Sequence, residues 1–121
     1  MTDSILVSTK KLLGITQEQT DFDTDIIITI NTAFSILHDL GIGPSEGFSI
    51  DGASSTWSSY ISDNVVLLEK VKTYVYLKTR LYFDPPTNSF LLDSMKSLVQ
   101  ELEWRLNSNV DYPEKKEKSE R

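Results

Sequence analysis

The chain of 121 residues contains no cysteine, which removes disulfide frameworks, thiolate metal sites and cysteine nucleophiles together. Its cohesion has to come from packing. Histidine occurs once, at position 38, near the expected end of a helix, where a cation suits the dipole better than a catalytic or ligand role. No apolar run approaches the ~20 residues needed to cross a bilayer. The N-terminus, Met1-Thr-Asp-Ser-Ile-Leu-Val-Ser-Thr-Lys-Lys11, places its charge after its short apolar patch, so neither a membrane span nor a secretory signal is expected. Positive charge is short as well: 12 lysines and arginines face 18 aspartates and glutamates, a formal net charge of -6. Such a chain repels nucleic acid as a whole.

Chemistry-bearing patterns are also missing. There is no His-x-x-x-His pair, no phosphate-cradling glycine loop and no nucleophile elbow. Asp39, Asp51, Asp63 and Asp84 read as terminal or turn residues, and Glu101 and Glu103 lie on different sides of one expected helix. A helical nucleotide pyrophosphohydrolase would need paired Glu-x-x-Glu carboxylates on facing helices, and the expected helices carry none. No enzyme activity, cofactor or metal is expected.

One stretch imitates a metal site. Asp21-Phe-Asp-Thr-Asp25 has carboxylates at alternate positions, as an EF-hand loop begins, but the sixth and twelfth positions are then Ile26 and Thr32 instead of glycine and glutamate. A helix start explains it better: Asp23 as the cap, Asp25 in the first turn, and Phe22 stapled onto Ile27.

What is present reads as one domain, all-α: a small bundle of about four helices. A first helix spans Ser4 to Leu13, with Thr2 and Asp3 as candidate caps and Gly14 as its stop. Thr16-Gln-Glu-Gln19 has capping-box form and marks a turn. A second helix buries Ile26, Ile30, Ala33, Phe34 and Leu37, and ends at Leu40 with Gly41 as a left-handed cap and Ile42 folded back on Leu37. Residues 41–62 hold four of the five glycines, eight serines or threonines and two charges, a long polar loop or a short β-hairpin. It nevertheless keeps Phe48, Ile50, Trp57, Tyr60 and Ile61, which must pack on this domain or on a neighbour.

A third helix, capped by Asp63 or Asn64, runs to about Phe83 with Leu67, Val71, Tyr74, Leu81 and Tyr82 as its stripe. Asp84-Pro-Pro stops it, and Thr87 or Asn88 caps a fourth. There Leu91, Met95, Leu98, Leu102 and Leu106 form an expected seam for an antiparallel hairpin with the third. Residues 1–109 make the domain, and 110–121 a charged tail expected to be disordered, with seven charges in its last eight residues.

The order Asp-Phe-Asp-Thr-Asp, Leu40-Gly-Ile-Gly-Pro44, Lys70-Val-Lys-Thr-Tyr-Val-Tyr-Leu-Lys78, Leu81-Tyr-Phe-Asp-Pro-Pro86 and Glu101-Leu-Glu-Trp-Arg-Leu-Asn107 resembles the small head-tail connector, or adaptor, proteins of long-tailed bacteriophages and prophages, over about residues 3–109. The resemblance implies a structural virion protein: a ring, usually dodecameric, that docks beneath the portal protein after DNA packaging. It would extend the exit channel, let DNA pass without specific binding, and present a platform to the next tail or head-completion protein. It implies no active site. On this reading Phe48, Ile50, Trp57, Tyr60 and Tyr112 are candidate contacts to a neighbouring subunit or partner, with packing on the chain's own core the alternative for Trp57 and Tyr60. A small helical adaptor that binds one partner protein is the other reading of the whole chain.

Overall fold

Local capping chemistry sets the helix boundaries in this computed structural model, which describes residues 4–108. The elements are α1 (Ile5–Leu12), α2 (Asp23–Asp39), α3 (Trp57–Tyr60), α4 (Val65–Phe83) and α5 (Ser89–Ser108). The cap of α1 is Ser4, whose Oγ accepts from the Val7 amide at 3.2 Å. Both α1 and α2 end in Schellman motifs. Gly14 and Gly41 take φ of 82° and 88°, while Ile15 and Ile42 donate their amides back to the carbonyls of Lys10 and Leu37 at 2.8 and 2.9 Å. Asn64 and Asn88 cap α4 and α5, accepting from the Leu67 and Leu91 amides.

At the start of α2 the structure corrects the expected cap. Phe22 occupies the cap position without a side-chain bond, and Asp23 is the first helical residue. Its carboxylate lies 2.7 Å from the Nζ of Lys10, a side chain only 2% exposed. The same ammonium donates to the carbonyls of Gln17 and Gln19 at 3.3 and 2.7 Å. A buried cation has to be met by acceptors, so Asp23 neutralises Lys10 and the connection between α1 and α2 is held down by its own backbone oxygens. Phe22 meets the ring of Phe83 edge-on, with centroids 5.4 Å apart, where a staple onto Ile27 was expected.

Helix α4 is the shared element: α1, α2 and α5 all pack on it. From α2, Ile26, Ile30, Ala33, Phe34 and Leu37 are buried, as their spacing predicts. From α4, Val71, Tyr74, Val75, Leu77 and Thr79 are buried. The expected α4 stripe fails at Tyr82, which is exposed. Its hydroxyl accepts from Lys78 Nζ at 3.0 Å and its ring holds that ammonium 4.9 Å from the centroid, using both the polar and the π character of the side chain at the surface.

The register of α5 also differs. Met95, Val99 and Leu106 are buried and Leu92 and Leu102 are half-buried, whereas Leu91 and Leu98 face out. The seam therefore steps 92, 95, 99, 102, 106. A helix gripped on one side needs only a narrow stripe, and hydropathy alone cannot choose between adjacent Leu98 and Val99.

Among the described residues there is no strand. The hairpin alternative for residues 41–62 is replaced by turns, a single antiparallel bridge between Ser4 and Thr56, and the one-turn helix α3. Thr56 and Ser59 build that turn as a capping box, each side chain bonded to the other's backbone amide.

Candidate functional site

The loop over α2 is fixed by Asn31 and His38 of α2 and by Trp57 of α3. Asn31 of α2 presents its amide to the backbone of Ile50, donating from Nδ2 to the carbonyl at 2.9 Å and accepting the Ile50 amide at 2.7 Å. That reciprocal pair satisfies a loop residue much as a neighbouring strand would. Trp57 donates from Nε1 to the Oγ of Ser8 at 2.9 Å, joining α3 to α1. His38 bonds through Nε2 to the Ser45 carbonyl at 3.0 Å, so the lone histidine holds the loop.

Phe34 is the hub beneath. Its ring lies 5.1 Å from Phe48, 6.2 Å from Trp57 and 4.7 Å from Tyr60. Ile50, Trp57 and Tyr60 are 4%, 3% and 5% exposed and belong to the chain's own core, with Phe48 packed against that core from a half-buried position. Tyr112 lies outside the described residues. At Gly43, with φ 89°, a Cβ would fall 2.6 Å from the Tyr60 ring, so glycine serves both the left-handed backbone and the close approach. Burial raises the Tyr60 phenol well above its ordinary range.

Between α4 and α5, the Tyr74 hydroxyl donates to Glu103 Oε2 at 2.7 Å, and Lys78 stands 3.9 Å from the same oxygen. Burial first, and then the bond to Glu103, push the Tyr74 phenol far above its usual range. This set ties α4 to α5 through Tyr74, Lys78 and Glu103, beside a surface depression lined by Lys78, Tyr82, Lys96 and Glu103. No group of three or more histidines, aspartates or glutamates among the described residues is arranged to hold a metal ion. No helix among them is long and apolar enough to cross a membrane.

The surface that sequence reasoning missed is the outward face of α5. Phe90 and Trp104 are 80% and 70% exposed, and Leu91 and Leu98 are more than two fifths exposed. Between the aromatic ends, Ser94 and Ser97 leave a shallow depression bordered by Phe90, Asp93, Leu98 and Glu101. The spacing 90, 94, 97, 101, 104 was available as a signal, but the competing leucine pattern absorbed Leu91 and Leu98 into a core stripe.

A family model described as "Phage connector protein" matches residues 5–113. No curated protein and no solved structure matches the chain.

Proposed function

The chain belongs to the phage connector protein family, and from that membership we propose that it is a structural head-tail connector that assembles as a ring beneath the portal protein. In the virion it extends the DNA exit channel and gives the next tail or head-completion protein its platform. The family match across nearly the whole domain carries this reading. The chemistry is consistent with it: the titratable groups described above are spent on holding helices and loop together, and the surface keeps an apolar helix face that a subunit of an assembly would cover.

The net charge of -6 suits a passage for DNA, because phosphates adhere poorly to a wall of like charge. The loop remains a proposed partner-facing segment, with half-buried Phe48 at its surface and Ile50, Trp57 and Tyr60 supporting it from below. The tail, with Tyr112, is proposed to order against the portal or an adjacent ring, as charged segments do when they fold on binding.

The test is the mass of the purified chain by light scattering, alone and with the portal protein encoded in the same genome. A ring in either condition is the expected outcome. A chain that ignores the portal and remains a monomer overturns the connector reading in favour of a partner-binding adaptor.

A further inference from the structure

We infer that residues 110–114, the acidic stretch that follows α5, fold back along the depression between α4 and α5 of their own chain and dock there. Val99 and half-buried Leu81 give this depression its apolar lining, the 58% exposed Tyr82 forms one edge, and Lys78, Lys96 and Glu103 stand around it. The inference does not depend on the connector reading; it gives a resting place to a segment that the reading assigns to a partner.

Charge selects the occupant. Lys78 is already met by Glu103 and by the Tyr82 hydroxyl, whereas Lys96 meets no acceptor among the described residues. Glu103 for its part accepts from Tyr74, which leaves one uncompensated cation beside apolar and aromatic surface. The stretch Val110-Asp-Tyr-Pro-Glu114 has the matching chemistry: two carboxylates, no cation, and the apolar side chains of Val110 and Tyr112. Cations begin only at Lys115. The depression on the other exposed side of α5 is bordered by Asp93 and Glu101 without a lysine or arginine, so like charge turns the same stretch away from it.

Reach selects the same stretch. From Ser108, where α5 ends, Gln100 and Lys96 lie about 12 and 18 Å back along the helix at its rise of about 1.5 Å per residue. Tyr112 and Glu114 lie about 13 and 20 Å onward at about 3.3 Å per extended residue. A chain that reverses at Asn109 therefore brings Tyr112 level with Val99 and Gln100 and Glu114 level with Lys96, and the lengths of the lysine and glutamate side chains cover what the turn uses. Asparagine is, after glycine, the residue that most often ends a helix in the left-handed conformation. The family match runs through residue 113 and so counts the chain just past α5 with the domain. A segment held here has to leave before it can order against another protein, so docking lowers its apparent affinity for a partner by the fraction of chains in which it is released.

The chain has no cysteine, so paired substitutions in the full-length protein report where the segment lies. Gln100→Cys with Pro113→Cys places one thiol at the rim of the depression, and Leu98→Cys with Pro113→Cys places it on the other side of α5; both helix positions are exposed. A disulfide needs the two Cα atoms within about 7 Å. Circular dichroism checks that every variant is folded. On mild oxidation of dilute protein, followed by mass and by non-reducing electrophoresis, the Gln100 pair is expected to close within one chain at least about tenfold faster than the Leu98 pair. Adding Lys96→Glu should slow that closure about threefold, and adding Glu114→Lys as well should restore it. Equal rates for the two pairs, or a faster Leu98 pair, overturn the docking, and a Gln100 pair that links mainly two chains overturns its placement within one chain. A Lys96→Glu variant that closes as fast as its parent, or that stays slow with Glu114→Lys, overturns the contact between Lys96 and Glu114. None of these outcomes bears on ring formation or portal binding, by which the connector reading is judged.

Discussion

Helices α2 and α5 both lean on α4, and they spend their apolar residues in opposite ways. In α2, Ile26, Ile30, Ala33, Phe34 and Leu37 turn inward and are covered again by the loop, through Phe48, Trp57 and Tyr60. In α5, Met95, Val99 and Leu106 are buried while Phe90, Leu91, Leu98 and Trp104 remain at the surface. The second helix carries more apolar area than its own fold uses. Stability of the domain therefore resides mainly around α2 and its loop, while the surplus on α5 lies at the surface.

The largest expected effect tests that division directly. Truncating Phe34→Ala empties the hub on which Phe48, Trp57 and Tyr60 converge, and should cost about 3–5 kcal/mol in denaturant unfolding. Phe90→Ala removes a ring that is 80% exposed and should stay within about 0.5 kcal/mol. Comparable losses at the two phenylalanines would erase the contrast between the helices.

How legible this was in the sequence follows from the same contrast. The α2 stripe and its Schellman end could be read because a helix buried against several elements leaves a wide, regular apolar arc, and a glycine followed by isoleucine has few other uses there. The one-sided α5 could not be placed to the residue. A narrow seam permits two registers when leucine and valine are neighbours, and nothing local separates them. Asp23 was legible as a helix-start residue but not as the partner of Lys10, because the burial of Lys10 is a tertiary fact. The loop showed its aromatics, yet the device that pins it, Asn31 on the backbone of Ile50, has no sequence signature at a separation of 19 residues.

A smaller effect is expected where the two regions are joined. Tyr74→Phe removes the hydroxyl bonded to Glu103 at 2.7 Å. A bond to a charged acceptor is worth about 1.5–3 kcal/mol, and the Glu103 side chain is 32% exposed, so a loss of about 1 kcal/mol is expected after solvent screening. The pH dependence has a definite sign. The folded-state pKa of Tyr74 is raised above the ordinary 10.0, as is that of Tyr60. Their contribution to stability is therefore complete below about pH 10 and declines as pH rises beyond it, because only the unfolded chain then releases these protons readily. Unfolding midpoints should fall above pH 10 in the wild type and fall less steeply in Tyr74→Phe. Equal slopes would mean that Tyr74 ionises as easily folded as unfolded.

The smallest effect, at Leu98, best sharpens the comparison when set beside that of its neighbour Val99 on the same turn of α5. Val99 is 5% exposed and Leu98 is 43% exposed. Val99→Ala removes buried methyl groups from the contact with α4 and should destabilise by about 1–2 kcal/mol. Leu98→Gln exchanges one good helix former for another at the surface, and its effect should stay within about 0.5 kcal/mol. Both are read by chemical denaturation of dilute protein, so that contacts between copies do not contribute. If Leu98→Gln proves the costlier change, the seam runs through 91, 95, 98 and 102, and the apolar surface assigned to assembly belongs instead to the hairpin's own packing.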